Sequence, residues 1–229
     1  VKALVPDARD ALHLEALAPA AQLLLPALAA RPWARETYLA GSAALALHLA
    51  HRPVRDLDLM SPTLRLAGPE RRDLLADLRG LDPEVRVEAA RDGYLFARLA
   101  GVALKLFHYP YPLVEAEAAV CGLALASRLD LGLMKLAAII SRGERRDFVD
   151  LYLLCRGLPL AALLARAPEK FGHVGDFALQ AWKGLADRSA AAAEPAPRLA
   201  LPLAWETVEE WLAAEVRRGG RAALGLAGD

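Results

Sequence analysis

The chain has 229 residues, of which 55% are hydrophobic and 24% charged. That length can bury one large core or two modest ones, and that balance excludes a disordered chain. Lys+Arg and Asp+Glu are equal at 28 each, which excludes a whole-protein electrostatic pull toward nucleic acid but leaves room for a local basic groove.

Most of the apolar content is Ala and Leu, so a helix-rich protein is expected. Between Asp7 and Arg31, Leu12, Leu14, Leu17, Leu23, Leu24 and Leu28 fall at helical spacings, predicting one or two amphipathic helices interrupted near a proline. Glu36–Ala40 reads as a short strand stopped by Gly41. An Ala- and Leu-rich helix follows from Ser42 to Leu49, with Ser42 as its N-cap. After the His51-Arg52-Pro53 break, Val54–Met60 alternates apolar and charged residues, a strand pattern with its carboxylates on one side. Glu70–Leu78 is a short charged helix ended by Gly80. Three strands follow, Val85–Ala89, Tyr94–Leu99 and Val102–His108, joined by Asp92-Gly93 and Ala100-Gly101. Tyr109-Pro110-Tyr111-Pro112 then ends the sheet region, since prolines cannot continue a central strand.

From about Ser127 onward only helices are predicted: Leu129–Ser141, Arg146–Cys155, Leu158–Arg166, Val174–Ala193 and Trp205–Arg217. Glu194-Pro195-Ala196-Pro197 is a linker, and the Gly/Ala-rich tail from Gly219 is expected to fray. The order predicts an α/β (α+β) chain, with a sheet domain and N-terminal helices over residues 1–126 and an all-helical domain over 127–229. The apolar stretches Leu14–Ala30 and Ala118–Ile140 are broken by prolines or charges, so neither a signal peptide nor a membrane span is expected. Cys121 and Cys155 are the only cysteines, and the five histidines are scattered. We therefore expect no disulfide framework, no zinc site and a reduced, cytoplasmic protein.

Two short patterns carry chemistry. Gly41-Ser42 lies between a strand and a helix, where glycine lets backbone approach a ligand closely and the free N–H groups of the helix start form an anion site. The same pair also suits an ordinary capped helix. Asp56 and Asp58, one residue apart on a strand, project from one face and repel unless a cation sits between them. Such oxygen ligands suit Mg²⁺ completed by substrate phosphates, although a solvent-facing strand would carry the same pair. In order along the chain, the Gly-Ser turn, one helix and Asp-x-Asp resemble the polymerase-β type of nucleotidyltransferase. That resemblance implies nucleotide phosphates at Gly41 and Ser42, metal at Asp56 and Asp58, and displacement at the α-phosphate with loss of pyrophosphate.

A narrower resemblance joins both halves. Tyr38-Leu39-Ala40-Gly41-Ser42-Ala43-Ala44-Leu45 and His51-Arg52-Pro53-Val54-Arg55-Asp56-Leu57-Asp58-Leu59 are similar to the AbiEii/AbiGii toxin family. So are Leu133–Ile139, Arg142-Gly143 and Arg146–Tyr152, and the similarity runs from about Thr37 to Leu154, roughly half the chain. It implies an NTP-dependent enzyme using Mg²⁺ (or Mn²⁺), an RNA acceptor such as tRNA, and a separately encoded antitoxin as partner. It also implies Lys135 as a nucleotide-phosphate ligand and Asp147 as an active-site acid, both brought to the cleft by the helical domain.

From the residues themselves, Lys135, Ile139 and Arg142 share a helical face, so Lys135 and Arg142 can point together at a phosphate or at Asp147. Lys135 equally reads as a snorkelling surface lysine, and Asp147 as a charge stabilised by a helix dipole. Asp150, one turn on, is expected to pair with Arg146 or Arg142. Relatives of the polymerase-β type commonly carry a third carboxylate on a later strand. Here Lys105 stands roughly at that place, leaving the base role to Asp147 or leaving a weakly active or binding-only protein. A small-molecule acceptor, as in antibiotic-modifying nucleotidyltransferases, also suits the neutral net charge.

Overall fold

The computed structural model describes residues 12–115 and 118–220. The predicted helical start at Asp7 and the tail beyond Gly220 lie outside the described residues. The chain divides between Ser127 and Arg128 into two units, each described by itself.

In the first unit, α1 (Pro19–Ala29) begins at a proline whose missing N–H is an orphan at that position anyway. The interruption predicted near a proline falls before Pro19, between a short 3₁₀ turn at Leu14–Ala16 and α1, whereas Pro26 is accommodated within α1, which buries Leu24, Leu25 and Leu28. β1 (Tyr38–Ala40) leads into α2 (Gly41–Leu49), and β2 (Leu57–Ser61) follows. β2 is shorter than the sequence pattern, because Val54 forms only an isolated bridge to Leu17. α3 (Gly68–Leu81) precedes the antiparallel run β3 (Arg86–Arg91), β4 (Tyr94–Leu99) and β5 (Val102–His108). The register of β3 against β4 slips between Val87 and Ala89, a bulge on an outer strand.

The sheet does not end at Tyr109–Pro112. Two further strands, β6 (Ala118–Val120) and β7 (Leu123–Leu125), return it beside β1, giving the order β3-β4-β5-β2-β1-β7-β6. Their turn uses positive φ at Cys121 and Gly122, the geometry tight hairpins favour. β2 pairs parallel with β5 and antiparallel with β1. Leu57, Leu59, Leu95, Ala97, Leu104 and Leu106 fill the helix-covered face, each at most 2% exposed. The other side of the same strands presents Asp58, Phe96 and Lys105, all half-buried.

The second unit is helical: α4 (Arg128–Ser141), α5 (Arg145–Cys155), α6 (Leu160–Phe171), α7 (Phe177–Ala186), α8 (Ser189–Ala193) and α9 (Trp205–Glu215). α4 is its hub, packing on α5, α6 and α7. Gly132 permits the α6 contact, since a Cβ there would lie 2.9 Å from the Leu163 methyls. The single helix predicted over Val174–Ala193 is broken. Asp187 turns extended and its carboxylate accepts from the Ser189 amide and hydroxyl, starting a new helix. Lys170 on α6 donates to Asp130 on α4 at 2.8 Å, and both side chains are fully buried. Among the described residues, no single helix is long and apolar enough to cross a membrane.

Candidate functional site

The antiparallel register sets Ala40 opposite Asp58, so the turn from β1 into α2 passes beside that acid. Gly41 takes φ +60°, and a Cβ there would lie 2.3 Å from Asp58 Oδ2. Any other residue would strain the left-handed backbone and collide with the carboxylate. Ser42 is not the N-cap expected of it. It lies inside α2, whose cap is Ala40 and makes no side-chain capping bond. The opening amides of α2, which have no partner within the helix, thus lie beside Asp58.

β2 begins at Leu57, so Asp56 stands just before the strand and Asp58 within it. Both still meet one group, the Lys105 ammonium, which lies 3.4 Å from Asp56 Oδ2 and 3.7 Å from Asp58 Oδ1. Lys105 is the register partner of Asp58 on one side and of Phe96 on the other. Its ammonium sits 5.5 Å from the Phe96 ring centroid, a cation–π distance. The repulsion between the two aspartates is therefore offset by a lysine of the same sheet. Asp56 is 47% exposed, Asp58 20% and Lys105 26%, so the cluster is open to ligand.

Two adjacent carboxylates suit one divalent ion completed by water and phosphate oxygens. Among the described residues, no group of three or more His, Cys, Asp or Glu could hold a metal. The donor set fits a single ion here, not a pair bridged by three carboxylates.

The helical unit holds the other residues singled out in the sequence. Arg142, just past α4, grips Asp147 with two nitrogens: Nε donates to Oδ2 at 2.9 Å and Nη2 to Oδ1 at 3.0 Å. Lys135 Nζ donates to Asp147 Oδ1 at 3.0 Å and lies 2.6 Å from Asp150 Oδ2. Both aspartates are buried, while Lys135 retains 12% exposure and Arg142 46%. Burial alone would push the Asp147 carboxyl upward, but the Arg142 hydrogen bonds and the Lys135 charge outweigh it and hold it below the ordinary carboxylate range. Asp147 is accordingly a weak proton acceptor and a strong anchor. Its bonds hold the Arg142 guanidinium well charged, and the exposed part of that side chain borders an open cleft of about 460 Å³ with Gln180, Lys183 and Asp187 on its rim.

No protein-family model matches the chain. The uncharacterized protein aq_aa25 of Aquifex aeolicus (strain VF5) is 32% identical over 150 residues, spanning 62% of this chain and 69% of that protein. The chain belongs to the same family as aq_aa25. Among solved structures, a candidate nucleotidyltransferase from H. pylori superposes with a TM-score of 0.51 at 16% identity, covering 91% of this chain and 97% of that one. The antibiotic-resistance factor ANT(2″)-Ia gives 0.49 at 17% identity, over 64% of this chain and 89% of that one. The H. pylori likeness shows a nucleotidyltransferase-like fold for this family member.

Two features of the site are not legible in the local sequence pattern. Asp150 lies 2.6 Å from Lys135, a partner not expected for it, while its charge also acts on Arg142 as expected. The i, i+3 spacing of Asp147 and Asp150 puts both on one face of α5, and that signal could have assigned them a shared cation. Arg146 meets Glu144 at 2.6 Å. The sequence marks Lys105 as standing where an acid is usual, but its contact with both aspartates depends on the parallel pairing of β2 with β5, which no local pattern reveals.

Proposed function

We propose that this protein transfers a nucleoside monophosphate from an NTP to a hydroxyl acceptor, as a toxin-like nucleotidyltransferase resembling the AbiEii/AbiGii family. One observation carries the reading. The Gly41 backbone, at the start of α2, is pressed against the Asp58 carboxylate with Asp56 beside it. A phosphate held by the α2 amides would therefore lie next to both acids.

Asp56 and Asp58 would hold a divalent ion, Mg²⁺ or Mn²⁺, which when bound supplies charge neutralisation to the triphosphate. Gly41 and the Ser42 amide orient the phosphate tail. In the reaction, the acceptor oxygen bonds to the α-phosphorus as the bond to the β-bridging oxygen breaks. Pyrophosphate leaves, and the hydroxyl proton passes to solvent. Asp147 serves as the group that positions Arg142 and Lys135, with Arg142 offering its exposed side to phosphate. The toxin-family resemblance supports RNA, tRNA in particular, as acceptor and an antitoxin protein as partner.

The test incubates the protein with each α-labelled NTP, Mg²⁺ and total RNA, and in parallel with aminoglycosides. Label should pass to RNA and be lost with Asp56→Asn. Transfer undiminished in a pure Asp56→Asn protein would overturn the assignment, and label on the aminoglycoside alone would move it to small-molecule acceptors.

A further inference from the structure

A polymerase-β type of site is expected to gather two divalent ions with three carboxylates. Here Asp56 stands just before β2 and Asp58 within it, and in direct register with Asp58 is a lysine. The lysine does not turn away from the acids. Its ammonium is within 4 Å of one oxygen of each aspartate, which is where a cation shared by Asp56 and Asp58 would reside. Phe96 backs it on the far side, with its ring face turned to the charge. The side chain is thus held between the Asp56–Asp58 carboxylates on one side and the Phe96 ring on the other.

We propose that Lys105 is a resident cation of the nucleotide site, taking the place of one of the two metal ions, so that the loaded site holds a single divalent ion. This inference rests on the nucleotidyltransferase reading above and deepens it. An ammonium of charge +1 can neutralise the aspartate pair in part but cannot bridge phosphate and carboxylate as a divalent ion does. One ion must therefore still enter with the triphosphate, and it enters a site whose carboxylates already share a positive charge. Two consequences follow for binding. Without nucleotide, Lys105 competes with the ion for the same oxygens and weakens its binding. With nucleotide, no third carboxylate among the described residues joins the pair to hold a second ion.

The experiment counts Mn²⁺ by the loss of its free-ion EPR signal, on the full chain saturated with each of the four α,β-methylene NTP analogues in turn. One protein-dependent Mn²⁺ per nucleotide-bound chain is expected, and two after Lys105→Asp, which restores a third carboxylate. Two ions on the unaltered chain, or one on both proteins, would overturn the proposal while leaving the nucleotidyltransferase reading standing. If the unaltered chain and Asp56→Asn bind Mn²⁺ and analogue equally poorly, the functional reading itself fails and the proposal falls with it. Should Lys105→Asp not fold, Lys105→Met decides. Removing the competing charge should tighten nucleotide-free Mn²⁺ binding by about tenfold or more, and unchanged or weaker binding would overturn the idea.

Discussion

Asp150 holds the Lys135 ammonium at 2.6 Å, closer than Asp147 does at 3.0 Å, so one lysine answers two carboxylates that are each at most 1% exposed. The pair of acids sits three residues apart on α5, and the lysine reaches them from mid-α4. The cluster joins the two helices before it does anything else. Lys135→Met should consequently destabilise the helical unit by about 3–5 kcal/mol, the usual cost of stranding a buried charge. Urea unfolding followed by far-UV circular dichroism reads this directly. A Lys135→Met protein as stable as the parent would show that the cluster is held by other means.

The same cluster sets an acid limit. Asp147 has its carboxyl held below the ordinary range in the folded state, so it contributes stability above the unfolded pKa of about 4, and that contribution is lost as pH falls through the lower folded value. The helical unit should lose stability below about pH 4, and Asp147→Asn should flatten that part of the profile. Unfolding midpoints measured across the acid range test it. A mutant profile that still falls in parallel with the parent would assign the acid limit to other groups.

Lys170 and Asp130 form a second buried pair, here with no exposed edge on either side chain. Burial pushes the Lys170 ammonium downward in pKa, and Asp130 opposes that shift. Lys170→Met alone should cost about 3–5 kcal/mol, whereas the double change Lys170→Met with Asp130→Leu should recover most of it. A double-mutant cycle on unfolding free energy measures the coupling, and additive losses would contradict it.

Gly41→Ala should impair the site more than the fold. The left-handed backbone costs about 1–2 kcal/mol for a residue with a side chain, and the new methyl must displace the Asp58 carboxylate. Misplacing a reacting group by about an ångström can cost on the order of a hundredfold in rate. Label transfer should drop by about that factor while the protein stays folded. Full transfer by Gly41→Ala would remove this turn from the phosphate site.

Much of the sheet half was legible because its signals are local. The alternation around Asp56 and Asp58 predicts their common side, and glycine between a strand and a helix predicts the tight approach to ligand. What was hidden depends on distance along the chain. β6 and β7 have three residues each, too few for a periodicity, and become strands only by pairing beside β1. The contacts of Lys105 with both aspartates come from a register set some 47 residues away along the chain. In the helical half, α7 and α8 share one apolar pattern, and only the side-chain turn at Asp187 separates them. Ser42 shows the opposite error, a residue of good capping type displaced from the cap because the helix already starts at the left-handed Gly41.

The slipped register between Val87 and Ala89 bears on crowding of the protein with itself. β3 is the outermost strand on its side, exposed along most of its length, with Arg86 and Arg91 near its ends. A neighbouring copy adding its own strand there would lose the hydrogen-bond ladder at the bulge and bring arginine against arginine. The opposite rim ends in β6, only three residues long. Neither border offers a long, flat template, so the sheet resists stacking edge to edge into fibres.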